Sequence, residues 1–326
     1  MAATIAGLAF GPVSLPPGGV AAELLNLLPG VDIHSGLSER DAAILLQLRL
    51  PRVVLGLLVG AMLALAGGCY QGAFRNPLAD PYLLGAAAGA GLAVTAVVAF
   101  RDSDIGSLPA GVPLAAFAGA LVAVALTYLL GAAGRDRTPA SLILAGVAVS
   151  AFLAAGQTYL MQRNADDIRA IYSWLLGRLA TNGWHEVKLL LPYAAVTAVV
   201  VLAMRRELDV LSVGDDEASG LGLHPQRSRY LLIAAASLGT AATVSVSGLI
   251  GFVGVVVPHI VRMLAGSSYR AILPLSMLFG AAFLALADLA GRTVAAPAEI
   301  PIGVVTAFVG GPFFVIVLRT AKRVIT

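Results

Sequence analysis

The sequence predicts an all-α, polytopic membrane protein, a helical bundle of ten transmembrane helices within one transmembrane domain covering residues 1–326. Three observations carry that expectation. The chain is 59% apolar and only 12% charged, with a mean hydropathy of +0.89, whereas soluble domains average about 25% charged residues. Its apolar residues lie in long runs interrupted by short basic loops. A bilayer core about 30 Å thick takes ~20 apolar helical residues, and several runs have that length.

Taken in order, charge-free runs cover Val53 to Phe74, Pro81 to Phe100, Ile105 to Gly134, Thr138 to Gln162, Leu189 to Met204, Ala271 to Ala287 and Ile300 to Leu318. Each is read as one helix. The run from Tyr230 to Val261 is too long for one ordinary span and contains "SVSGLIGFVG", so it is expected to be a pair of helices broken near Gly248. The amino terminus has eleven residues before Pro12, about 16 Å of helix. It reads as the remainder of a tenth helix, since it lacks the charged start and small-residue cleavage site of a signal peptide.

Arginine placement sets the expected orientation. With the carboxyl terminus in the cytoplasm, the inner loops hold twelve of the 21 basic residues, and the outer segments carry Asp32, Glu39, Asp41, Asp102, Asp104, Asp166, Asp167, Glu186 and Glu299. Arg49 and Arg52, flanking Pro51, then fall on the outside against the bias. The bland reading is an interfacial anchor, with Pro51 opening the helix. Gly56, Gly60, Ala64, Gly68 and Gly72 follow at every fourth position, a stripe that allows close helix packing.

Several function classes are disfavoured. "HEVKL" at His185 lacks the second histidine of a zinc site, and neither Lys188 nor Lys322 sits in a phosphate-cradling glycine loop, so the chain has no ATP site of its own. The single Cys69 excludes a disulfide framework, and scattered basic residues without stacking aromatics argue against nucleic acid. Asp288 is the one acid within a span; an i,i+4 pair with Arg292 competes with an ion-path role. Two rivals follow: a proton-coupled secondary transporter using Asp288, and an intramembrane enzyme, for which no acid-base pair is present.

The longest inner loop, residues 205–229, has apolar points at Leu208, Leu211, Ala218 and Leu221 on two short helices joined at Gly214, with Gly220, Gly222 and Pro225 ending the second. Short helices of this kind suit docking into another protein's groove. An ordinary solvated loop is the competing reading.

The motifs "RLPR", "QGAFRNPLADPYLLG", "LILAGVAVS", "WLLGRL", "GLIGFVGVVVPHIVR" and "AEIPIGVVTAFVGGPFF" resemble, in order and spacing, permease subunits of the type II ATP-binding-cassette importers that take up iron siderophores, haem and vitamin B12. The resemblance spans Gly11 to Arg323. It implies an inverted-repeat permease fold in the bacterial plasma (inner) membrane, working as a homodimer or pseudo-symmetric pair with two cytoplasmic ATPases and an extracytoplasmic substrate-binding protein. ATP and Mg would be held by the partner ATPases, and this chain would bind no cofactor or metal and catalyse no reaction.

Residue roles follow from the same resemblance. Arg49, Arg52 and Arg292 match arginines that face the binding protein. Leu208, Leu211, Gly214, Ala218, Leu221 and Gly222 lie in the paired coupling helices that seat on the ATPases. Gln157, Tyr159, Gln162 and Trp174 fall on the expected pore lining, and Thr138 and Ser141 in the expected inner gate, where Pro139 and Ala140 interrupt the run of small hydroxyls seen in the vitamin B12 branch. The implied cargo is a metal chelate moved by alternating access, iron siderophore first and haem or cobalamin next.

Overall fold

The computed structural model describes residues 2–10, 15–100, 111–132, 139–179, 181 and 183–322. Helices account for nearly all of its regular structure. The amino-terminal part contains α1 (Ala2–Ala9), α2 (Pro17–Leu25) and α3 (Glu39–Ala43), whose Ser38 side chain caps the first turn by accepting from Asp41 N. A π-helical stretch, Ile44–Arg49, then runs without interruption into α4 (Leu50–Ala73).

The remaining elements are α5 (Ala86–Ala99), α6 (Val112–Ala132), α7 (Pro139–Arg163), α8 (Ile168–Leu175), α9 (His185–Ala203), α10 (Arg205–Val213), α11 (Asp215–Gly220), α12 (Pro225–Ser247), α13 (Val253–Ala265), α14 (Tyr269–Thr293) and α15 (Ile302–Lys322).

The expectation of ten transmembrane helices is not met. Among the described residues, six helices are long and apolar enough to cross a bilayer: Glu39–Ala73, Val112–Gly131, Pro139–Arg163, His185–Ala203, Pro225–Ser247 and Tyr269–Thr293. Two more apolar helices, Ala86–Ala99 and Val253–Ala265, are shorter than 18 residues, and the apolar stretch Ile302–Val317 opens α15. An apolar run is not the same thing as a helical run. Within Pro81 to Phe100, residues up to Gly85 are spent on a turn, and Gly85 takes φ 86° before α5 begins, which leaves 14 helical residues, about 21 Å. Within Tyr230 to Val261, the chain leaves α12 at Gly248 (φ 67°) and re-enters a helix only after Phe252 (φ 70°), so α13 has 13 residues. The break near Gly248 falls where the glycine predicts it. Non-helical backbone at membrane depth is tolerated where protein surrounds it, and Ile250 is buried, with its N–H and carbonyl both bonded to the Tyr82 hydroxyl at 3.1 Å. The amino-terminal run is an eight-residue helix.

The centre of the bundle is α4. Its spanning window is 78% buried, whereas that of α7 is 17% buried, so α4 is wrapped by protein and α7 lies at the periphery. The small-residue stripe, together with Gly67 beside it, explains this. A Cβ at Gly60 would stand 2.2 Å from the Gly280 carbonyl oxygen on α14, and one at Gly67 would stand 1.8 Å from that of Gly254 on α13. Such approaches bring backbones together and gain dispersion energy over the whole interface.

Candidate functional site

The first turn of α4 projects Arg52 toward the far end of α14. Its guanidinium donates to Asp288 Oδ1 from Nε (3.0 Å) and Nη2 (2.9 Å), and to the two Glu299 oxygens at 3.0 and 2.9 Å. Asp288 Oδ2 also stands 2.9 Å from Arg292 Nε, one turn on, as the i,i+4 spacing predicts. That nitrogen's N–H is not aligned to a hydrogen-bond acceptor, so the contact is a charge pair by distance. The result is a chain of alternating charges joining α4, α14 and the loop before α15. The Arg52 side chain is 23% exposed and that of Glu299 50%, so these two form its surface. Hydrogen bonding to Arg52 holds the Glu299 carboxyl below the usual range.

Arg49 and Arg292 are buried and turn the other way, toward α1. The last four carbonyls of a helix have no acceptor role inside it. In α1, Ala6 O accepts from Phe10 N, Gly7 O from Arg292 Nη2 (3.0 Å), Leu8 O from Arg49 Nη1 (2.8 Å), and Ala9 O from Arg49 Nη1 (3.2 Å) and Leu15 N. Cations at a helix carboxyl terminus also oppose its dipole favourably. The sequence announces none of this, because the acceptors are main-chain atoms. Glu299, which sits in the "AEIPIG" motif, is the partner of Arg52 that spacing alone leaves unpaired.

At the other end of α4, some 24 residues later, lie α10 and α11. Gly214 joins them at φ 143°, and a Cβ there would meet Glu217 Oε2 at 2.0 Å. The two-helix reading of this loop is thus what the structure has. Its apolar points divide, however: Leu208, Leu211 and Ala218 are buried against the bundle, whereas Leu221 is 71% exposed. Val213, 61% exposed, is a second outward apolar residue that the sequence pattern does not single out. Gly222 ends the segment at φ 82°.

Two carboxylates tie these short helices to the spans. Asp209 caps α14, accepting from Tyr269 N (2.5 Å) and Ser268 Oγ (2.9 Å). Asp215 accepts a two-point grip from Arg229 (3.1 and 2.7 Å), and Arg229 Nε donates to Ala73 O at the last turn of α4 (2.8 Å). The hydrogen bonds from Arg229 hold the Asp215 carboxyl below its usual range. Two-point guanidinium–carboxylate pairs fix geometry as well as charge.

The residues expected along a pore lie on α7 and α8. Tyr159 and Gln162 are exposed on α7, with Arg163 over the Tyr159 ring at 5.5 Å. Gln157 packs against α5, where a Cβ at Gly91 would stand 2.8 Å from its Oε1. Trp174 is buried, and its carbonyl lies against Gly248. Ser141 Oγ donates to Gly131 O at 3.2 Å. Thr138 lies outside the described residues. No group of three or more His, Cys, Asp or Glu side chains placed to hold a metal occurs among the described residues.

Similar proteins supply the context for this geometry. A cobalamin import system permease protein of Halobacterium salinarum is 40% identical over 307 residues, covering 94% of this chain and 82% of that relative. An Fe(3+)-citrate import system permease protein of Bacillus subtilis is 38% identical over 321 residues, covering 98% and 92%. A solved inward-facing conformation of a putative metal-chelate type ABC transporter superposes with a TM-score of 0.84 at 29% identity, covering 98% of this chain and 96% of the other. The model of the FecCD transport family matches residues 1–320. With nearly its whole length matched, the chain belongs to the FecCD transport family.

Proposed function

We propose that this chain, an importer permease that moves its cargo by alternating access, pairs with a second permease copy and works with two cytoplasmic ATPases and an extracytoplasmic binding protein. ATP and Mg are bound by the ATPases, and the chain itself is a conduit. The observation that carries this reading is the placement of two built ends on one helix: an alternating-charge surface at the start of α4 and two short clamped helices at its finish. In this reading the Arg52 end faces outward, and α10 and α11 face the cytoplasm of a cell whose plasma (inner) membrane holds the protein, with the carboxyl terminus inside.

The residues then take the following roles. Arg52 presents charge to the binding protein, while Arg49 and Arg292 hold α1 and the Asp288 side of that platform. Rim charges of this kind set orientation and association rate more than affinity. On the inner side Leu221 offers an apolar contact to the ATPase, Gly214 and Gly222 shape the turns, and Leu208, Leu211 and Ala218 anchor the pair, so that closure of the ATPases pulls on α4 and α14 through Arg229 and Asp209. Gln157, Tyr159, Gln162 and Trp174 belong to the pore wall, with Thr138 and Ser141 at the inner gate.

The cargo in this reading is a metal chelate, iron siderophore first, with haem and cobalamin next; the relatives named for cobalamin and for Fe(3+)-citrate support the class. Asp288 held between two arginines counts against the proton-coupled alternative. The test is reconstitution of the permease with its ATPases and binding protein in liposomes, followed by uptake of ferric hydroxamate, ferric citrate, haem and cobalamin. Uptake that needs ATP and the binding protein is expected. Uptake driven by a pH gradient without ATP would refute it.

A further inference from the structure

A polar cavity of about 270 Å³ opens beside the Arg52 cluster, lined by Arg52, Ser173, Arg178, Asp288 and Glu299 together with main chain around Gly177 and Ile300. Two arginines enter it. Arg52 is already engaged by four hydrogen bonds to two carboxylates of this chain. Arg178 is different: it donates its main-chain N–H to Ser247 O at 2.8 Å, but among the described residues its guanidinium has no acceptor. The side chain is exposed at the cavity edge, and the part of it that burial desolvates draws its pKa below the usual arginine range.

The turn that carries Arg178 is built to hold it in place. Gly177 takes φ 74°, and a Cβ there would meet the Leu249 carbonyl oxygen at 2.6 Å, so the turn lies directly on the chain that follows α12. Leu176 O accepts from Gly303 N at 3.0 Å on the other side. A flexible side chain on a rigid, twice-anchored turn is a pre-positioned donor.

The cavity is small for a metal chelate, since sites for whole small molecules run about 300–1,000 Å³ and enclose most of the ligand. It has room for one carboxylate-bearing side chain. Asp288 and Glu299 in the lining are already bonded to Arg52, which leaves the Arg178 guanidinium and the Ser173 hydroxyl in the same wall to receive an anionic group.

We propose that Arg178 receives an acidic side chain of the docked substrate-binding protein, which seats in this cavity between Arg178 and Ser173 with Arg52 flanking it. The proposal rests on the reading of the chain as a binding-protein-dependent permease, and it adds to the charge that Arg52 presents a docking contact at a residue outside the Arg49, Arg52 and Arg292 set. Those three are committed within the chain. Arg178 is the cavity's uncommitted positive charge.

The experiment uses the transporter assembled with its ATPases in nanodiscs and its own binding protein without cargo. Equilibrium binding is measured at low and high NaCl for wild type, Arg178→Ala, Arg178→Lys and Arg178→Glu, with basal ATPase activity reporting intact assembly. The alanine variant is expected to bind about tenfold more weakly and the glutamate variant more weakly still, with a flatter salt dependence, while lysine restores most of the affinity. Affinities within twofold of wild type for alanine and glutamate, at unchanged basal activity, overturn the proposal. So does unchanged docking with a selective loss of uptake for anionic over neutral chelates, which would give the cavity to the cargo instead. If glutamate disrupts assembly, the alanine and lysine pair decides. Absence of any binding-protein effect on the wild-type transporter would instead sink the underlying permease reading, whatever Arg178 does.

Discussion

Replacing Asp288 by asparagine separates an electrostatic strut from a proton path. The carboxylate is buried, with one oxygen bonded twice by Arg52 and the other 2.9 Å from Arg292. Two unit charges about 4 Å apart interact by about 4 kcal/mol at an effective dielectric near 20. Breaking a buried pair by removing one partner costs about 3–5 kcal/mol, because the other charge stays buried. Two features reduce that figure: asparagine keeps an oxygen acceptor for Arg52, and Arg52 retains Glu299 at a partly exposed position. The expected loss is then about 2–4 kcal/mol, or a fall of about 3–6 °C in the unfolding midpoint of a chain this long. The assay pairs thermal unfolding in detergent with ATP-driven uptake in liposomes, measured below the variant's midpoint. Lowered stability with most uptake retained is expected. Uptake abolished at unchanged stability would refute the strut and restore Asp288 as a proton carrier.

Three other outcomes follow from the same geometry. Gly280→Leu should separate α4 from α14, because its Cβ would begin 2.4 Å from the Gly60 carbonyl oxygen; overpacking costs about 1–3 kcal/mol or more, and well-folded yield near wild type by size-exclusion chromatography would contradict this. Leu221→Asp should lower co-purification of the ATPases without changing the unfolding midpoint, whereas Leu208→Ala, fully buried, should lower the midpoint through a loss of about 2–5 kcal/mol; the reverse pattern would invert the assignment of faces. Asp80, in the loop before α5, has its carboxyl pushed up to about 6 by burial. The folded state therefore holds its proton more tightly than the unfolded one, so this group's contribution falls as pH rises from about 4 to 6 and is fully unfavourable above that range. Asparagine keeps the oxygen that accepts from Tyr82 N, and Asp80→Asn should raise the midpoint more at pH 7.5 than at pH 4.5; equal shifts would show that the carboxyl titrates normally.

Much of the site was legible where local chemistry decides it. The i,i+4 pair of Asp288 and Arg292 is set by helical spacing, and the joint between α10 and α11 at Gly214 by a backbone angle that other residues resist. The pairing of Arg52 with Glu299 was not legible, since nothing in a one-dimensional pattern relates two residues 247 positions apart. The same holds for the faces of the coupling helices: Leu208 and Leu221 look alike as letters, and only the packing of α10 on α4 and α14 buries one and exposes the other.

The sequence by itself determined that this chain lives in a membrane, where its helices break, and which family it resembles, because burial preference, glycine freedom and motif spacing are properties of short stretches. Tertiary structure decided how many apolar runs become full spans, since turns around Gly85 and Gly248 are sheltered by neighbouring helices that a linear reading cannot place. It also decided which arginine keeps its charge for a partner. Arg49 and Arg292 are drawn to α1 carbonyls 41 and 285 positions away, and Arg178 is left at the cavity without an acceptor among the described residues, because hydrogen-bond satisfaction is settled by proximity in space.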